Sequence, residues 1–164
     1  MLIESIILTT AVIIGLFSVY FIPRHKILQA HFVFLFTGLP AWILGLMAVD
    51  WNLLQYPYRE LSSVNRSSFI FEYLILPLVC VHFNAHYPEQ SSKWMRAGYY
   101  FGISSVLTGF EYIFEQYTLL IEYNQWEWWW TLLSVTCILY ISRIATVWFF
   151  KDSHYLKSHK INPE

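Results

Sequence analysis

Long apolar stretches alternate with short polar ones along the whole chain, and the apolar stretches run longer than the helices of a soluble core usually do. A helix needs about 20 mostly apolar residues to cross about 30 Å of hydrocarbon. Five segments approach or meet that length: 5–22, 27–49, 68–86, 97–118 and 128–150. The pattern therefore predicts an all-α fold, a polytopic transmembrane helical bundle of five spans forming one domain over 1–164. Pro23 ends the first span. That span has no basic start and no small-residue cleavage site, and it carries Glu4, so it reads as a retained helix and not a signal peptide. Pro40 and Pro77 fall inside the second and third spans and should kink them, because proline removes a helical hydrogen bond.

The fourth span is the most informative. At helical spacing, Gly98, Gly102, Ser105 and Gly109 form one stripe of small side chains. Ser104, Thr108, Glu111 and Glu115 form a second, polar stripe, and large apolar residues fill most of the remaining arc. Small residues let helix backbones approach closely where lipid supplies no hydrophobic drive, so the first stripe is read as a packing surface, within the chain or against a second copy. Carboxyl groups at membrane depth must face protein or a water-filled cavity, so the second stripe points inward.

The third span adds Glu72, His82 and His86, expected on one face with Ile75 and Val79. Two histidines at this spacing can chelate a metal, with His31 as the nearest third ligand, but hydrogen-bonded histidines are the expectation and no metal is assigned. In the fifth span Arg143 lies about two turns from the far end, close enough to snorkel toward it. Its axial offset from Glu111 is about 10 Å, which disfavours a direct ion pair. The polar groups thus fall in two layers, Glu72, Glu111 and Glu115 in one, and His31, His82, Asn84 and Arg143 in the other.

Charge orients the bundle. Arg24, Lys26, Lys93, Arg96, Lys151, Lys157 and Lys160 fall on one side, and only Arg59 and Arg66 on the other, with Asp50, Glu60, Glu122 and Glu127. Cations gather on the cytoplasmic side, so the N-terminus is expected outside and the C-terminus inside. Trp126, Trp128, Trp129 and Trp130 at the start of the fifth span, and Trp94 and Trp148 at the opposite edge, suit the headgroup layers. The longest connection, 50–67, holds Tyr56, Pro57, Tyr58 and Leu61 and a glycosylation sequon at Asn65, which matters only in a eukaryote.

Composition agrees. Charged residues make up 13% of the chain, against about 25% in an ordinary soluble domain. Cys80 and Cys137 sit in apolar runs and read as core residues. There is no CxxC, zinc spacing, P-loop or HExxH, and no basic face of the kind that binds nucleic acid, so no cofactor and no catalytic residue is assigned.

The stretch 71–77 (Phe71-Glu72-Tyr73 through Pro77), Lys93-Trp94, and the run from Glu111 through Glu115 to Trp126-Glu127-Trp128 resemble an uncharacterised family of small polytopic membrane proteins from endospore-forming Bacillota. The resemblance covers about 40–150. It implies a multi-pass protein of a bacterial plasma membrane and carries over no reaction. The leading expectation is a protein of the lipid bilayer that packs with itself or with another membrane protein. The alternative is a proton or cation conductor or transporter subunit using Glu72, Glu111 and Glu115. An intramembrane enzyme ranks third.

Overall fold

Residues 76–85 are almost wholly buried, with Cys80 and Phe83 at 0% exposure, so the shortest helix lies at the centre. The computed structural model describes residues 2–59 and 63–151. Its helices are α1 (Leu2–Ser18), α2 (Ile27–Asp50), α3 (Leu76–Ala85), α4 (Lys93–Tyr117) and α5 (Trp128–Phe150), and α3 is entered through a π-helical segment, Ile70–Ile75. Ala30, Val33 and Ala41 of α2 and Val135, Ile138 and Leu139 of α5 close on α3 to form the main core. α1 leans on the π-helical segment, and α4 leans on α5.

Neighbouring helices alternate in direction. At one end, Glu4 Oε1 of α1 lies 3.5 Å from the Leu119 N–H, and the N–H groups of Asn124, Gln125 and Trp126 all point to Leu53 O at 2.8–3.0 Å. At the other end, Lys26 Nζ donates to Ala85 O at 2.5 Å and Arg143 Nη2 to Glu89 Oε1 at 2.7 Å. Two strands that the sequence reading left as loops clamp the first end: β1 (Leu54–Gln55) pairs antiparallel with β2 (Glu122–Tyr123), Leu54 opposite Tyr123.

Three helical stretches, Leu2–Phe21, Arg24–Asp50 and Trp128–Phe150, are long and apolar enough to cross a membrane, and Ile70–Ala85 is apolar but shorter. The all-α, membrane-type fold expected from the sequence holds at that level. Of the residues used to orient the bundle, Glu60, Lys157 and Lys160 lie outside the described residues, as does Leu61.

The two prolines behave differently. α2 runs as one helix through Pro40. Before Pro77, which has no N–H to give, the chain widens into the π-helical turn, and Leu76 N–H bonds Phe71 O, five residues back. This wide turn breaks the expected common face of the third span. Glu72 turns onto α2, whereas Ile75, Val79, His82 and His86 stay on the side toward α1 and α4.

Close backbone approach occurs, but not where the small stripe of α4 predicted it. A Cβ built on Gly98, Gly102 or Gly109 meets nothing within 4 Å, so that stripe has no partner among the described residues. The reason is the neighbouring polar stripe: Ser104, Thr108 and Glu111 turn toward α5, which rotates the glycines outward. The tight contacts belong to α1 and α2. A Cβ on Gly15 would lie 3.1 Å from Leu78 Cδ1, and one on Gly45 would overlap the Glu72 carboxyl group itself. Gly45 continues a small-residue face of α2 made of Ala30, Thr37, Gly38, Ala41 and Ala48.

Gly45→Ala should therefore lower the melting temperature in mild detergent, since overpacking a filled site costs about 1–3 kcal/mol. Gly102→Ala should leave it unchanged or raise it, because alanine is the better helix former and has open space to enter. Equal melting of the two variants would refute the seating of Glu72 on α2.

Candidate functional site

The acids of the expected outer layer are brought together by the loops above them. Glu72, only 4% exposed, lies on the glycine face of α2 and accepts a hydrogen bond from Tyr56 Oη at 3.1 Å. Its second oxygen, Oε2, is buried with no hydrogen-bond partner among the described residues. Glu111, one side-chain layer away on α4, is better satisfied. Its Oε1 accepts from Tyr123 Oη at 2.7 Å and from Thr131 Oγ1 at 2.6 Å, and Thr131 in turn accepts from Trp126 Nε1 at 2.8 Å.

Tyr56 stands between the two acids. Burial, and then the nearby carboxyls of Glu72 and Glu111, push its hydroxyl well above the ordinary phenol range. Burial and Glu111 do the same to Tyr123. Both phenols therefore keep their protons and serve as donors to the carboxyls. The strand pair explains how two loop tyrosines reach helix acids: β1 leads directly into Tyr56, β2 ends on Tyr123, and Leu54, Tyr56 and Ile121 pack with Ala48 as a small second core.

The other predicted residues divide. Ser104 and Thr108 are buried against α5, where Thr136 Oγ1 donates to Ser104 Oγ at 2.8 Å and Thr108 turns back to Ser104 O. Glu115 does not join the buried cluster; it is half-exposed and hydrogen-bonded by Gln116. Arg143 pairs with Glu89 at 2.7 Å, with its guanidinium 4.3 Å above the Tyr87 ring. His31 is exposed and bonds Ile27 O of its own helix. Asn84 ties α3 to α5 by donating to Ser142 Oγ at 3.0 Å.

His82 Nε2 lies 3.0 Å from Ser18 Oγ, a spacing that suits a nucleophile and its base. The proton positions argue otherwise. Ser18 Oγ donates to Gly15 O at 2.7 Å, so the histidine must supply the proton shared between them and cannot take one from the serine in this arrangement.

Gly45, Tyr56, Tyr123, Thr131 and the bond made by Trp126 were not singled out from the sequence as parts of this cluster. One signal was present: Gly38 and Gly45 are two turns apart on a face that is otherwise small.

Thr131→Val should destabilise the bundle by about 1–3 kcal/mol, since it leaves a buried carboxyl and an indole N–H each short of a partner. Ser134→Ala, which removes only a bond to its own helix at Thr131 O, should be close to neutral. Thermal unfolding followed by circular dichroism in detergent distinguishes the two outcomes; similar melting for both variants would contradict the relay.

Scanned against family models, curated proteins and solved structures, the chain matches none.

Proposed function

We propose that the chain is a five-span protein of a bacterial plasma membrane, N-terminus outside and C-terminus inside, whose work is to bind a second copy or another membrane protein through α4. The observation that carries this reading is the open space at Gly98, Gly102 and Gly109, three glycines on one face where an added Cβ would meet nothing within 4 Å among the described residues. Beside them Ser105 and Gly109 form the floor of a cleft of about 390 Å³ walled by Phe101, Tyr112, Trp128 and Leu132. Small residues on an outward helix face allow a second helix to come close, and flanking aromatics supply the contact area that packing in lipid requires. The bacterial location is supported by the resemblance noted above. The orientation is supported by Arg24, Lys26, Lys93 and Arg96 lying at the end opposite Glu122 and Glu127.

A conductor remains the second reading, and Glu72 Oε2, buried without a hydrogen-bond partner among the described residues, is what favours it. Against it, Glu72 and Glu111 are held under the loop cap, and the space that reaches from Glu111 toward His82 is lined almost entirely by apolar side chains. The enzyme reading is weakened by the proton arrangement at Ser18 and His82.

Mass measurement of the full chain in mild detergent should give at least two protein chains, or one chain with a co-purified protein. Gly109→Leu should reduce it to a single chain while leaving the helical content unchanged. A single-chain mass for the native protein, or an unchanged assembly in Gly109→Leu, would overturn the packing role. A cysteine placed at the exposed Val64 should react with an impermeant thiol reagent from outside the cell, and a cytoplasmic reporter fused after Lys160 should be active. Labelling only after lysis would overturn the orientation.

A further inference from the structure

Between α1 and α4 the bundle is open. The two helices diverge over one side of α3 and leave a groove of about 1000 Å³. Ile75, Leu78 and Val79 form its floor, with Ile14 on one wall and Ile103 and Leu107 on the other. The volume stands at the upper end of the range for pockets that hold small molecules, about 300–1,000 Å³. From Phe71 to His86 the floor runs about 22 Å, more than half the hydrocarbon thickness, so a chain from one leaflet can lie along it. The side chains are apolar over most of this length, with Thr10 as a polar interruption on α1.

The two ends differ in their polar groups. One carries Glu111 beside Tyr56, where the Arg59 guanidinium is held by Tyr56 O at 2.7 Å and Asn65 O at 2.9 Å, and the other carries Ser18, His82 and His86. Arg96 stands one turn beyond the groove residue Tyr99 on the same face of α4, and Arg24 and Lys93 begin elements at this same end. The acid nearest in sequence, Glu89, is taken by Arg143 at 2.7 Å. An anionic group thus finds hydrogen-bond donors in the histidine pair and the nearby cation Arg96 at this end, whereas the donors at the Glu111 end are already given to its carboxyl.

We propose that the groove between α1 and α4 binds a phospholipid with an anionic headgroup, its acyl chains lying along α3 and its phosphate at the His82–His86 end. The site needs the chain to be embedded in a bilayer, but it does not depend on α4 binding a partner. A single-chain mass in detergent would end the packing role and leave the lipid site standing. The groove differs from an ordinary lipid-facing surface in having protein on three sides, and in a headgroup end with two histidines and with Arg96 one turn beyond it.

The test uses the full chain reconstituted in vesicles of equal parts phosphatidylglycerol and phosphatidylcholine. The photoreactive residue p-benzoyl-phenylalanine replaces Ile103 on the groove wall or, as the control, Leu133 on the exposed side of α5. After illumination, intact-mass measurement reads which lipid is attached. At Ile103 the phosphatidylglycerol adduct should exceed the phosphatidylcholine adduct about fivefold, the factor that one surface cation contributes toward an anionic headgroup. At Leu133 the two adducts should be equal. Combining His86→Glu with Arg96→Glu should bring the Ile103 ratio to parity while adducts still form. Equal adducts at Ile103, a preference that survives the double substitution, or a chain-to-chain cross-link showing that a second copy fills the groove would each overturn the proposal.

Discussion

A carboxyl group pressed onto the backbone of a neighbouring helix is the contact around which this bundle is arranged. Glu72 can lie on α2 only because residue 45 has no side chain, and it can turn that way only because the chain around it is π-helical. The π-helical turn is in turn the local answer to Pro77, which cannot donate a hydrogen bond. One proline, one glycine and one acid therefore set the register of α3 against α2. A buried carboxyl is costly without hydrogen-bond partners, so this seat is tolerable only with partners supplied, and Tyr56 supplies one.

The remaining architecture follows from α3 being central. α2 and α5 pack on α3, and α1 and α4 flank it, so the short helix Leu76–Ala85 is buried along most of its length. β1 and β2 pair above it, and they lower Tyr56 and Tyr123 onto Glu72 and Glu111. Because α4 is bonded to α5 through Ser104 and Glu111, it is turned away from α1. The same rotation exposes the glycines of α4 and opens the groove over α3.

The sequence was legible where periodicity alone decides. The five helices appear within a few residues of their predicted positions once the π-helical entry Ile70–Ile75 is counted with α3, and Ser104, Thr108 and Glu111 of the polar stripe of α4 point into protein while Glu115 does not. It was not legible where two elements must be known together. The small stripe of α4 looked like a packing face because small residues permit close approach, but permission is not contact, and the helix had a stronger reason to rotate the other way. The face that did pack, on α2, was hidden because its small residues are spread among large apolar ones and include only two glycines, Gly38 and Gly45. The common face drawn through Glu72 and His82 failed because 3.6-residue spacing does not hold across a π-helical turn. The tyrosine donors could not be assigned, since their positions depend on a strand pair between loops 67 residues apart, as the Gln55–Glu122 contact shows.

Gly45 and Glu72 act as one unit, and a double-mutant cycle measures their coupling. Gly45→Ala should be costly in the native background and nearly free once Glu72→Ala has removed the carboxyl that the new methyl group would strike. The expected coupling between the two positions is about 1–3 kcal/mol, in the range found for residues in direct contact. Additive effects, with Gly45→Ala equally costly whether or not Glu72 is present, would contradict it.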